Sequence, residues 1–525
     1  MKSSTHVLRG ALLLTLAGII SKVLSAIYRI PLQNLTGDLG YYIYQQVYPF
    51  IGTVMILSLY GFPVAVSKLT ADAYLQQRPV TWKQFYFPLL VVLFLINGTI
   101  FLMIFFSAPM IAQLSGDTAF TSIYRVAAFP FLFVPLIALM RGSFQGIGEM
   151  TQTAYSQVIE QFLRVGIIIS AAYFVFIEWI TVQQIALAGV LATIVGMVAV
   201  TLFLLYFFRR HPYQPDHNEQ VQSIPWRHLF YTCLVLGMVA SINQLILIFI
   251  QFVDVVTLVP NLMEYGFTSL EAKKWKGVFD RGQPLIQFGV VIGASFALAL
   301  IPAMARENAQ LKRANLRTIQ DALTLSFYLA SGATVGLICI LPEANLLLFM
   351  DERGTFSLQV LAVSILITSI AMTGSAILLS ENRWKYILYA ISLMISVKYL
   401  LNELLIPSFG ITGSAVATVT SLLLFLLLIV RRLKGIRFVR SIRWRAYISA
   451  TFAMIVYLLF LKTTIYPILQ LSRIGLLCYV LFIVTTGAFI YFILLLRYDG
   501  FSSRQISSLP CSAFLLKLKY MVKRK

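Results

Sequence analysis

Charge is scarce in this chain. Of 525 residues only 12% are Asp, Glu, Lys or Arg, and acids are the rarer kind, 20 against 41 bases, for a formal net charge of +21. A soluble domain keeps roughly a quarter of its residues charged. With 59% hydrophobic residues and a mean hydropathy of +0.84, a water-soluble fold is excluded. Cysteine and histidine are rarer still, four of each. Cys233, Cys339 and Cys478 stand inside apolar runs and Cys511 near the end, with no pair at metal-ligand spacing, so neither a structural metal nor a disulfide framework is expected. No Gly-x-x-x-x-Gly-Lys-Ser/Thr stretch occurs, which removes P-loop ATP hydrolysis, and no cofactor is expected.

What the chain has is long apolar runs. They lie near 8–30, 41–67, 82–106, 121–143, 155–177, 183–208, 228–257, 277–303, 317–341, 356–380, 384–406, 411–431, 446–465 and 473–496. A bilayer core of about 30 Å needs ~20 such residues per helix. The runs are continuous and too long for barrel strands. They predict an all-α integral membrane protein of about fourteen transmembrane helices. The first run holds Lys22 and lacks a small-residue cleavage site, so it reads as a retained helix.

The bases orient the chain. With the N-terminus cytoplasmic, 29 of the 41 Lys and Arg fall in inner segments, six in outer loops and six within spans. A missed or invented helix would invert every later loop and erase that asymmetry. An even number of helices with cytoplasmic N- and C-termini follows, and the positive charge reports topology rather than nucleic acid. The longest inner linker, 209–227, contains His211, Pro212, Pro215 and Pro225 and divides the first twelve spans into six and six. A weak repeat agrees: Arg141-Gly142-Ser143 against Thr373-Gly374-Ser375, and Ala188-Gly189 with Ala192-Thr193 against Thr412-Gly413 with Ala417-Thr418. The expected divisions are 1–208, a linker at 209–227, 228–431, two extra helices in 432–496, and a basic tail, 497–525, lying on anionic lipid.

Ionisable groups in mid-membrane cost at least ~2.5 kcal/mol each on insertion scales, so each needs a cavity, a partner or a route to the surface. Lys22 is near the middle of the first span and either faces a wet cavity or snorkels; Arg29, seven residues on, shares its face or marks the outer boundary. Glu160 and Arg164 are spaced i,i+4 and read as a neutralising pair, structural glue on the fifth span. Asp280-Arg281 opens the eighth span just before Gly282 and Pro284, a pattern of broken helix, and broken helices at membrane depth line cavities. Asp254 and Lys398 lie near outer ends, as boundary residues, or for Asp254 as a partner of Arg281 or an acceptor of a coupling cation. Lys22, Arg29 and Arg281 against Asp280 make a cation-rich set suited to an anionic substrate, where arginine grips phosphate bidentately. No enzyme chemistry is expected: the largest outer loop, about 258–276, offers Glu264 and Glu271 but no histidine.

Several segments carry a resemblance. They are Gly61 to Leu69 (Gly-Phe-Pro-Val-Ala-Val-Ser-Lys-Leu), Arg141-Gly142-Ser143-Phe144-Gln145-Gly146 followed by Met150 and by Thr153 through Gln161 with Arg164-Val165, then Ser21-Lys22-Val23-Leu24 with Tyr28-Arg29, and Asp280-Arg281. Together they resemble the stage V sporulation protein B group, which includes lipid II flippases, in the multidrug/oligosaccharidyl-lipid/polysaccharide exporter superfamily. The resemblance implies two six-helix lobes in a V around a central cavity, plus two C-terminal helices. It implies flipping of an undecaprenyl-pyrophosphate-linked saccharide from the inner to the outer leaflet of the bacterial cell membrane. Alternating access by a monomer among membrane lipids is the expected mechanism, driven by the membrane potential, by a coupled cation (Na+ or H+) or by consumption of the cargo outside. Lys22 and Arg281 match cavity cations of that group, whereas its Gram-negative members carry an arginine–aspartate pair where this chain has Tyr28-Arg29. The rival expectations are a cation-coupled multidrug exporter of the same superfamily, which calls for acidic cavity residues, and a non-transporting scaffold in cell-wall or spore-wall assembly.

Overall fold

The computed structural model describes residues 2–75, 81–210, 225–298, 312–433, 438–465, 472–502, 505–506 and 512–523. Among these the structure is helical throughout, without a strand. Twelve stretches are long and apolar enough to cross a membrane; the first, Leu13–Leu75, runs to 63 residues and takes in the first two expected spans. The eighth expected span, 277–303, passes out of the described residues after 298, and most of the 209–227 linker and Cys511 also lie outside them. Large apolar side chains such as Phe106, Phe162, Leu404 and Phe452 are exposed, the surface that a hydrocarbon solvent rewards.

The chain divides into two compact units, residues 1–280 and 281–525. That division falls at the Asp280–Arg281 peptide, whereas the six-and-six reading divides at 209–227. The first unit holds α1 (Lys2–Ile27), α2 (Arg29–Ile56), α3 (Phe62–Leu75), α4 (Phe87–Leu114), α5 (Phe120–Ala128), α6 (Val134–Gly146), α7 (Thr151–Phe176), α8 (Gln184–Arg210), α9 (Trp226–Glu264) and α10 (Ser269–Asp280). The loop expected over 31–40 is instead helical with one break: Gly37 takes φ +69°, a conformation that glycine adopts without steric penalty. The outer loop expected near 258–276 is also mostly helix, because α9 continues to Glu264 and α10 begins at Ser269.

α3 and α6 pack through small residues four apart. A β-carbon on Gly142 would stand 2.4 Å from Val66 Cβ, and one on Gly146 2.6 Å from Thr70 Cβ. Such spacing lets two backbones approach where lipid supplies no hydrophobic drive between helices. Gly142→Val is therefore expected to destabilise the first unit by about 1–3 kcal/mol, the usual toll of overpacking, read as a lower midpoint in detergent unfolding with insertion unchanged.

The second unit holds α11 (Gly282–Leu298), α12 (Lys312–Phe349), α13 (Thr355–Ser380), α14 (Trp384–Phe409), α15 (Ile411–Arg432), α16 (Phe438–Ser441), α17 (Trp444–Phe460), α18 (Arg473–Arg497) and α19 (Ser512–Lys523). α14 and α15 form a hairpin turning at Gly410, φ +56°. α18 locks onto α12 where Tyr491 Oη donates to the Tyr328 carbonyl at 2.8 Å. The tail folds back on its own start: Lys519 Nζ donates to the Phe501 carbonyl at 2.7 Å and pairs with Asp499 at 3.1 Å, so this tail base is buried.

Candidate functional site

The break in α2 lies beside one cluster of buried charged groups of the first unit. Arg29, at the start of α2, is fully buried with its guanidinium carbon 4.1 Å from the centre of the Tyr48 ring. Tyr28, Tyr41, Tyr44 and Tyr48 surround it, and the hydroxyls of Tyr28 and Tyr44 are hydrogen-bonded. A guanidinium lies well on aromatic faces because their quadrupole replaces part of its lost hydration. Across the break, Gln33 Nε2 donates to Asp38 Oδ1 at 2.9 Å. α10 closes against this point: a β-carbon on Gly277 would come within 2.1 Å of the Asp38 carbonyl oxygen. That approach carries Lys276 and Asp280 inside as a buried i,i+4 pair, Nζ to Oδ2 2.7 Å, and Asp280 is within electrostatic range of Asp254 and Arg29. At its rim Lys273 meets Asp117 at 2.6 Å.

Arg29, Asp254 and Asp280 are thus brought together, with Lys276, which the sequence places in an outer loop. With Asp38 beside them, two bases and three acids share a low-dielectric interior, where charged groups must be compensated by one another or by hydrogen bonds. Asp254 is buried in α9. Lys22 stands apart on α1, partly exposed, without an ion pair or hydrogen bond among the described residues.

Glu160 and Arg164 do not pair. Glu160 Oε2 accepts from Arg141 Nη2 at 2.8 Å, with both side chains buried, while Arg164 donates to Gln161 Oε1 and touches the Met55 sulfur. Successive turns of α7 aim the acid at α6 and the base at α2, and the neighbouring helices decide the partners. Arg141, counted as an inner-loop base, also donates to Ser156 Oγ at 2.9 Å and the Ser58 carbonyl at 3.2 Å.

In the second unit Arg281 is fully buried and forks onto Asp351, Nη1 to Oδ1 2.6 Å and Nη2 to Oδ2 3.0 Å, with the Phe349 ring 5.2 Å from its guanidinium carbon. Lys398 is fully buried: its Nζ donates to the Ser414 carbonyl and Oγ, each at 3.0 Å, and to Thr418 Oγ1 at 2.7 Å. Ser414 and Thr418 lie one turn apart on α15, a polar stripe in an apolar run that could have pointed to a buried partner.

Asp351 lies in the loop between α12 and α13. Partial burial works against its charge, but hydrogen bonds from Arg281 and Arg353 outweigh that and hold its carboxyl down at about 2. A depressed folded value contributes stability that is complete above the unfolded carboxyl near 3.9 and is lost as pH falls through the folded one. The stability difference between the native chain and Asp351→Asn is therefore expected to be constant from pH 8 to 5 and to shrink between about 4 and 2, as read by unfolding midpoints across that range.

Helices of bilayer length that bury ion pairs and further cations define a polytopic membrane protein. The chain belongs to the polysaccharide biosynthesis protein family, whose profile matches residues 7–308. It is 39% identical over 418 residues to the uncharacterized membrane protein YabM of Bacillus subtilis, covering 79% of this chain and 77% of the relative. In the same organism it is 25% identical to stage V sporulation protein B (87% and 89% covered) and 24% identical to lipid II flippase MurJ (79% and 80%). Among solved structures, lipid II flippase MurJ in an inward closed conformation matches with a TM-score of 0.67 at 12% identity, covering 92% of this chain and 98% of that one. An inward-facing multidrug MATE transporter matches at 0.61 and 16%, covering 87% and 99%. These two likenesses concern the fold; the resemblance read from the motifs is the family that the comparisons give.

Proposed function

We propose that the chain flips a polyprenyl-pyrophosphate-linked saccharide from the inner to the outer leaflet of a bacterial cell membrane by alternating access, as a monomer with both termini cytoplasmic. The observation that carries this reading is Arg281, a fully buried guanidinium at the junction of α10 and α11, whose fork matches phosphate oxygens. Likeness over most of the chain to relatives that include a lipid II flippase supports the same cargo class. The physical task is to spare a dianionic head group and its sugars a passage through hydrocarbon, where unpaired polar groups cost several kcal/mol each. Lys22 and Arg281 are the proposed cargo contacts. Arg29, sealed beneath tyrosines, acts through its field, and the Asp254, Asp280 and Lys276 set around it is the proposed place where Na+ or H+ couples to the cycle. Glu160 with Arg164, and Lys398, are assigned to structure.

The test is flipping of a fluorescent lipid-linked saccharide in vesicles containing the purified chain. Lys22→Gln and Arg281→Gln are expected to lose at least about ten-fold in rate, roughly 1.4 kcal/mol of transition-state stabilisation, while still inserting. Efflux of a cationic dye without lipid flipping would move the assignment to a drug exporter.

A further inference from the structure

We propose that Arg281 and Arg353 form an anion site of phosphate class whose resting occupant is the chain's own Asp351, and that a diphosphate enters by displacing that carboxylate. The proposal rests on the lipid-diphosphate cargo put forward above and gives that cargo a competitor inside the protein.

The geometry is that of a filled binding site. Arg281 presents both terminal nitrogens to the two Asp351 oxygens at 2.6 and 3.0 Å from a fully buried position. Arg353 comes from the other side, with Nε and Nη2 at 3.0 and 2.7 Å from Oδ2, and its backbone N–H donates to Oδ1 at 3.0 Å. Two guanidiniums on one carboxylate leave a net positive charge, so the pair still attracts an anion while occupied. A carboxylate and a phosphate offer a guanidinium the same two-oxygen edge, and a diphosphate brings more charge to it. The occupant is also the accessible partner: the Asp351 side chain is 25% exposed and Arg281 behind it is not exposed at all.

The loop is built to let go. Asp351 sits between Met350, held at φ +63°, and Gly354 at φ +72°. The left-handed region is disfavoured for a side chain with a β-carbon, so Met350 turns the chain at an uncommon dihedral directly before Asp351. The far side of the loop is anchored independently, since Asn345 Nδ2 donates to the Arg353 carbonyl at 3.0 Å and to Thr355 Oγ1 at 3.1 Å. Asp351 can therefore swing out while Arg353 remains in place beside Arg281.

The experiment titrates the full chain in lipid nanodiscs with inorganic pyrophosphate, and separately with a polyprenyl diphosphate. Asp351→Asn is expected to bind pyrophosphate at least ten-fold more tightly than the native chain, and adding Arg281→Gln is expected to abolish the gain. In the native chain, pyrophosphate is expected to speed amide exchange in the 350–355 peptide, because the Arg353 N–H loses its acceptor. If Asp351→Asn does not fold, the exchange measurement decides alone. Unchanged or weaker affinity in Asp351→Asn, a gain that survives Arg281→Gln, or exchange unaltered by pyrophosphate overturns the proposal. Tighter binding of the polyprenyl form assigns the site to a lipid head group and equal binding to free diphosphate, and both support the anion site. Flipping that is absent while the Asp351→Asn gain persists defeats the transport reading alone; intact flipping without the gain defeats only this one.

Discussion

Glu160→Ala is expected to lower the unfolding free energy by about 3–5 kcal/mol, the loss seen when one partner of a buried ion pair is removed. The size follows from what stays behind. Arg141 is fully buried, and its Glu160 partner is only 5% exposed, so the remaining guanidinium has no water to turn to. Its other bonds, to Ser156 Oγ and the Ser58 carbonyl, satisfy protons but do not cancel charge. Glu160→Gln should cost less, because the amide oxygen still accepts from Nη2. The informative comparison is the double change Arg141→Met with Glu160→Met. An apolar pair of similar volume often restores or exceeds native stability, and the cycle of singles and double isolates the coupling. A double variant as stable as the native chain, with unchanged flipping, assigns the pair to structure. Near-native stability of Glu160→Ala alone would mean that Arg141 finds another anion and would sink the assignment.

This pair also marks where sequence stops being legible. Apolar runs located the helices, because a bilayer imposes its thickness on any chain that crosses it. The i,i+4 spacing of Glu160 and Arg164 correctly places both on α7 but says nothing about which neighbour each side chain faces. Arg141 ends an apolar run and so reads as an inner-surface charge, yet α6 sets it against α7. Lys276 reads as a loop base because its surroundings are polar, and its burial depends on the glycine beside it meeting the backbone of α2. Asn34-Leu35-Thr36-Gly37-Asp38 has the composition of a turn, and the structure spends it on a helix break, which keeps the polar side chains inside. Arg281 reads from its place beside Gly282 and Pro284 as a cavity-lining cation, with Asp254 as one candidate partner; the fork onto Asp351, 70 residues away, has no signal in the sequence.

Lys22 yields the sharpest functional prediction because stability and transport should move in opposite directions. It makes no ion pair or hydrogen bond among the described residues, so replacing it removes no such bond from the fold. An ionised side chain at the centre of a membrane helix costs at least ~2.5 kcal/mol on insertion scales; on the mid-membrane reading of Lys22, Lys22→Met should recover part of that as a higher unfolding midpoint. If the ammonium meets the pyrophosphate of the cargo, the same change should lower the flipping rate at least about ten-fold, and Lys22→Arg should restore much of it, since charge is kept. Arg281→Gln cannot separate the two effects, because it strips Asp351 of a partner while removing a cargo contact. A Lys22→Met chain that is both stabler and fully active would show that its ammonium only reaches for the membrane surface. A chain that loses stability instead would place Lys22 in the packing. Only a gain in stability joined to a loss of flipping matches a cation kept in the bilayer for the sake of its cargo.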